Sequence, residues 1–129
     1  MTVEKISTNE TSVQKYSVSF LDSLPWEPLT EFPDFTSLNG TPTMLIALVA
    51  GDGVNAGTIA AWSCDRDGFT YDKLPTPEAA FLLEGAARLT ETQSGETVEV
   101  RAGEGYRIPA GWSGTWEAIE PVRKIYFML

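Results

Sequence analysis

The chain has 129 residues, with 9 Lys and Arg against 18 Asp and Glu, a formal charge of −9 and no histidine. Without imidazole there is no Ser-His-Asp triad, no Cys-His pair and no His-ligated zinc or iron, so any catalysis must draw on carboxylates, Lys, Tyr, the single Cys64 or a borrowed cofactor. The acidity argues against nucleic acid or an anionic membrane as partner, and a hydrophobic share of 43% suits one domain with a full core.

The first dozen residues are polar, after which Tyr16, Val18 and Phe20 alternate with Ser17 and Ser19 and predict a strand. The opening residues lack the charged-then-apolar build of a signal peptide, and no apolar run reaches the roughly 20 residues of a membrane helix, so a cytoplasmic location is expected. Residues 21–39 carry Pro25, Pro28 and Pro33 among Trp26, Leu29, Phe32 and Phe35, a spacing that a helix interior does not tolerate. They read as an extended arm, pinned by its aromatics as structural cover. The expected organisation is therefore an N-terminal strand and arm over residues 1–40 and a barrel over 41–129, together one structural domain.

From residue 43 the chain breaks into short β-like runs between turn residues: 43–50, 57–63, 79–83, 87–92, 97–101, 106–108, 115–119 and 122–129. Residues 51–57 form a glycine-rich hairpin loop, 65–68 (Asp-Arg-Asp-Gly) a turn and 93–96 (Gln-Ser-Gly-Glu) a tight hairpin turn. No stretch of ten residues has a 3.6-residue period. Eight or more short strands without a linker between two cores predict one antiparallel sandwich or barrel.

Glu78 is followed by six residues and Gly85, and Gly103 by five residues and Pro109-Ala110-Gly111. These spacings resemble the two cupin motifs. More closely, Phe81-Leu82-Leu83-Glu84-Gly85, Ala102-Gly103-Glu104, Ile108-Pro109-Ala110-Gly111, Trp116-Glu117 and Val122-Arg123-Lys124-Ile125-Tyr126 resemble the small cupin group that contains the ureidoglycine aminohydrolase cupin domains and the ethanolamine-utilization cupin. The resemblance covers about residues 57–129. It implies an all-β, RmlC-like jelly-roll barrel, often a homodimer, with a pocket in the barrel mouth. In metal-binding members of the superfamily two histidines precede the glutamate and one follows Pro-x-Gly. Here the upstream positions fall on Tyr71 and Lys73, or on Asp72 and Leu74, and the downstream one on Gly114, so only Glu78 remains and neither a metal nor another cofactor is expected.

Strand parity adds detail. If Glu78 faces inward as its motif position implies, Ala80 and Leu82 do too, while Phe81 and Leu83 face outward against the arm or a second subunit. Lys124, Tyr126 and Met128 share one face of the last run, and Arg123, Ile125 and Phe127 the other. Trp116 shares parity with Gly114 and is expected to line the cavity. A carboxylate in a barrel interior needs a cation, and Lys73 and Lys124 are the two candidates. Cys64 reads as a small core residue.

The leading expectation is a metal-free cupin that binds a small polar metabolite in its mouth through Trp62, Tyr71, Lys73, Glu78, Trp116, Lys124 and Tyr126. A second is a ureide or amino-group hydrolase, or a sugar-type isomerase, with Glu78, Tyr71 or a Lys as general base. A third is a degenerate cupin kept as a dimeric interaction module. A filled but polar pocket fits the first two. A pocket plugged by Trp116 and Leu82 fits the third.

Overall fold

The computed structural model describes residues 13–29, 35–37 and 44–129. A short helix α1 (Val18–Asp22) precedes strands β1 (Glu27–Pro28), β2 (Phe35–Ser37), β3 (Leu45–Ala50), β4 (Ile59–Cys64), β5 (Gly68–Tyr71), β6 (Glu78–Glu91), β7 (Thr97–Arg101), β8 (Gly105–Ile108) and β9 (Gly114–Met128). Every strand pairing among them is antiparallel. The fold is the antiparallel barrel that the turn spacing implies, in the all-β jelly-roll form that the resemblance implies.

Its construction rests on two long strands that each serve two sheets. The first half of β6 pairs β8 (Glu78 with Ile108, Phe81 with Gly105), and its second half pairs β7 (Ala86 with Arg101, Thr90 with Thr97). Likewise β4 runs beside residues 122–127 of β9, and β5 beside residues 114–117. Because β6 and β9 pair along nearly their whole length, they pass together from one sheet to the other. The passage is at Gly85, where φ is +84° and the pairing register slips. Three slips between Leu82 and Ala87 accompany a shift of the inward set of β6 by one position, from Glu78, Ala80 and Leu82 to Ala87 and Leu89, so both halves face the core. Only glycine fits: a Cβ on Gly85 would lie 2.0 Å from the Pro121 carbonyl oxygen.

The core is the inward faces of both sheets, with Trp62, Phe69, Tyr71, Leu82, Trp116 and Tyr126 among its larger members. A second, smaller cluster lies on the outside, where Leu21, Leu24, Tyr16, Phe20 and Trp26 cover Ala47, Val49, Ala61, Leu83 and Ile125. Outward Leu83 and Ile125 are thus covered by the chain's own N-terminal segment. Arg123 fastens this cover through an ion pair with Asp22, and its guanidinium lies 5.6 Å from the Trp26 ring. Phe81, also outward, stays 44% exposed.

The local expectations fail in three places. Residues 16–20 do not form a strand. Ser17 instead caps α1, its hydroxyl accepting from the Phe20 N–H at 3.1 Å, and the alternation of Tyr16 and Phe20 serves one face of a single turn. The Asp65-to-Gly68 turn is followed at once by β5, which the turn residues hid. The runs 79–83 and 87–92, and 115–119 and 122–129, are single strands bent at Gly85 and near Pro121. The arm holds Trp26 and Leu29 against the barrel, whereas residues 1–12, Phe32, Pro33 and Thr43 lie outside the described residues.

Replacing Gly85 with Ala should destabilise the fold by about 3 kcal/mol, combining a left-handed backbone with a backbone clash. Urea unfolding measures it. A loss below about 1 kcal/mol would mean that the bend does not depend on this glycine.

Candidate functional site

The interior polar cluster is assembled from both sheets. Glu78 begins β6, Tyr106 lies in β8 and Lys124 in β9, while Tyr71 ends β5 in the opposite sheet. Glu78 is 3% and Lys124 2% exposed. Lys124 pairs in register with Leu82, four residues along β6 from Glu78, and its long side chain spans that distance within the barrel.

All four groups are joined. Tyr71 donates its hydroxyl to Glu78 Oε1 at 2.5 Å, and Tyr106 donates to Oε2 at 2.8 Å. Lys124 Nζ donates to the Tyr106 hydroxyl at 2.8 Å and meets Glu78 Oε2 at 3.4 Å, while Trp116 Nε1 donates to the Tyr106 hydroxyl at 3.1 Å. The ammonium also sits between indoles, 4.7 Å from the Trp62 ring centre and 4.6 Å from that of Trp116. Those rings are locked by their neighbours: Trp116 stacks on Phe69 at 5.2 Å and meets Trp62 edge-on at 5.1 Å. Among the described residues no buried side-chain nitrogen or oxygen lacks a partner.

Electrostatics follow from this enclosure. Burial pushes the Tyr71 and Tyr106 hydroxyls well above the usual tyrosine range, and the adjacent Glu78 charge adds to the shift. Lys124 is displaced downward, because loss of water outweighs the attraction of Glu78. Cys64 is buried, and desolvation raises its thiol to about 11, as suits a core residue and not a nucleophile.

Of the residues singled out in the sequence, Tyr71, Glu78, Trp62, Trp116 and Lys124 converge. Tyr126 joins by its ring, 5.5 Å from Nζ, while its hydroxyl donates to the Gly53 carbonyl oxygen at 2.9 Å and pins the 51–57 loop. Lys73 does not take part. Its side chain is exposed on the loop after β5, where its backbone has φ +53° and its N–H donates to the Ser113 hydroxyl at 2.9 Å, so the cation facing Glu78 is Lys124. Tyr106, Phe69 and Trp112 are additions. Alternation with Arg107 could have turned Tyr106 inward, but without the β6–β8 register nothing linked it to Glu78. Phe69 was hidden with β5.

Trp112 packs, half-buried, against the core beside Tyr71. It follows Pro109-Ala110-Gly111, its ring lies 5.9 Å from that of Tyr71, and its loop is tied to the 72–77 loop by Leu74 N–H to Trp112 O at 2.9 Å and Gly111 N–H to Leu74 O at 2.7 Å. A surface hollow of about 450 Å³ elsewhere, lined by Trp26, Cys64, Glu84 and Arg123 among others, includes none of the polar cluster.

The donor set does not fit a metal. Glu78 is its one carboxylate, an ammonium stands beside it, and among the described residues no three His, Cys, Asp or Glu side chains converge. A divalent ion would be brought against a fixed positive charge.

The two-sheet barrel is that of a cupin, and the comparisons with known proteins agree. The family model described as EutQ-like cupin domain matches residues 48–126, and the chain belongs to that family. Ethanolamine utilization protein Q of Salmonella typhimurium shares 24% identity over 66% of this chain and 68% of its own, with a TM-score of 0.56. The EutQ protein of Clostridium difficile shares 15% over 70% of each chain at a TM-score of 0.55. A Rhizobium leguminosarum protein of unknown function shares 17% over 91% of this chain and 96% of its own at 0.61. At these identities the structures establish the fold alone. No curated protein gives a significant match.

Single changes in the cluster should cost more than the double change. Glu78→Gln strands a buried ammonium and Lys124→Met a buried carboxylate, each costing roughly 3–5 kcal/mol, whereas the double variant should recover part of that loss. A double-mutant cycle by chemical denaturation reads the coupling. Additive losses would show that the two charges do not depend on each other.

Proposed function

We propose that this cupin binds a small polar molecule without a metal, at the closed mouth of the barrel where Tyr71, Glu78, Tyr106 and Lys124 meet. The observation that carries the reading is the composition of a buried site. Well-packed apolar side chains would stabilise such an interior as well as an ion pair or better, so four polar groups are a poor choice for stability alone. Displaced ionisation of several clustered groups is the usual mark of a binding or reacting site. Glu78 and the two phenols would orient the ligand, Lys124 would supply a positive charge, and the indoles would form the walls. Trp112 packs beside Tyr71 at the edge of the core, and movement of the 109–113 loop would open the cluster to a ligand. The same groups could serve an acid–base step, with Glu78 as the base, on a ligand held there.

A specific observation favours a second reading, that the chain is an interaction module acting as a homodimer. Trp116 and Leu82 are fully buried and fill the barrel, and Phe81 remains outward and exposed. The N-terminal cover of Leu83 and Ile125 shrinks the apolar face such a dimer would use.

Thermal shift with a library of small polar metabolites separates the two. The proposal expects at least one compound to raise the Tm of the wild type, and that shift to vanish in Lys124→Met. Absence of any shift, together with light scattering at twice 14.1 kDa that Phe81→Glu reduces to one, would replace it with the dimeric module.

A further inference from the structure

Two features of this interior differ from the metal-binding cupin pattern: no side chain at position 114, where the Trp112 ring packs, and an ammonium beside Glu78. At Gly114, where that pattern places a ligand, a Cβ would lie 2.2 Å from Cη2 and 2.6 Å from Cζ2 of Trp112, and 2.4 Å from the Thr90 carbonyl oxygen. The indole therefore takes the room that a side chain at 114 would need. Beside Glu78, the remaining member of the pattern, stands the Lys124 ammonium.

What surrounds that ammonium is the chemistry by which proteins recognise free ammonium ions. Trp62 and Trp116 present their rings at 4.7 and 4.6 Å, Tyr106 and Tyr126 at 5.5 Å and Phe69 at 5.9 Å. One carboxylate and one phenol oxygen complete the shell. Aromatic faces with a single carboxylate suit a cation that forms hydrogen bonds on one side and has apolar substance on the other. A primary alkylammonium has that form, and Lys124 is one tethered to the wall.

We propose that the barrel interior is an alkylammonium-binding site occupied in cis by Lys124. The native interior therefore excludes amines and divalent metals, and removing the tethered side chain turns the barrel into a receptor for a free primary amine. The inference stands on the cage and not on metabolite binding at the mouth, so either can fail alone.

The test is chemical rescue of Lys124→Ala. This change removes three methylene groups and the amine, the size of n-propylammonium. The variant should melt below wild type, and n-propylammonium at ten times its dissociation constant should raise its Tm by about 5 °C. Propan-1-ol, lacking the charge, and tetramethylammonium, lacking the N–H donors, should do much less. Wild type should not respond to the amine, nor should Lys124→Met, whose side chain fills the space. If Lys124→Ala does not fold alone, refolding in n-propylammonium but not in propan-1-ol supports the proposal, and failure in both overturns it. Equal shifts from amine and alcohol, or equal shifts in variant and wild type, also overturn it.

Discussion

An ammonium and a carboxylate enclosed in a barrel constrain everything placed around them. Removing each ion from water costs several kcal/mol, and their attraction offsets this only when the remaining donors and acceptors are also satisfied. That requirement explains why Tyr71 and Tyr106 both reach Glu78, why Trp116 turns its N–H to the Tyr106 oxygen, and why two indole rings flank Lys124. The aromatics provide the compensating stabilisation. A fully buried tryptophan removes about 200 Å² from water, worth roughly 5 kcal/mol, and a desolvated cation over its face adds about 2 kcal/mol. Since Tyr71 and Trp116 come from one sheet and Glu78, Tyr106 and Lys124 from the other, the cluster also ties the two sheets together.

The backbone makes this convergence possible. Register slips on both sides of Gly85 turn the two inward faces of β6 toward the same interior, and the absence of a side chain at Gly114 admits the Trp112 ring beside Tyr71. Gly85 belongs to the pattern by which the chain resembles cupins, and Gly114 departs from it. Gly85 keeps its ordinary structural role. Gly114 stands where a metal ligand would stand, and a ring from the preceding loop fills the space. The outcome is a cupin whose interior charge is balanced by its own side chains.

Much of this was legible in the sequence. Turn residues marked the barrel and the run 97–101 coincides with β7; the motif position of Glu78 set it inward, parity carried Ala80 and Leu82 with it, and parity put Lys124 and Tyr126 on one face of the last run, all of them buried. Other features lacked a local signal. A one-turn helix is too short for a 3.6-residue period, and Tyr16, Val18 and Phe20 imitate the alternation of a strand. β5 follows directly on an Asp- and Gly-containing turn, which masked Phe69 and left Tyr71 without a strand to orient it. The choice between Lys73 and Lys124 depended on register. Lys73 sits two residues from Tyr71 yet on an exposed loop, while Lys124, distant in sequence, is carried beside β6 by the β6–β9 pairing. Tyr106 entered the cluster through the same kind of non-local pairing.

The account rests on Lys124 being held as an ammonium between Trp62 and Trp116 against Glu78. Lysine-selective NMR observes this directly through the Hε and Nζ signals. The account predicts one lysine whose Hε protons are moved upfield by the two indoles and whose Nζ protons exchange slowly with water, with both properties lost in Glu78→Gln. Lysine signals that all show unshifted Hε and rapid Nζ exchange would contradict it.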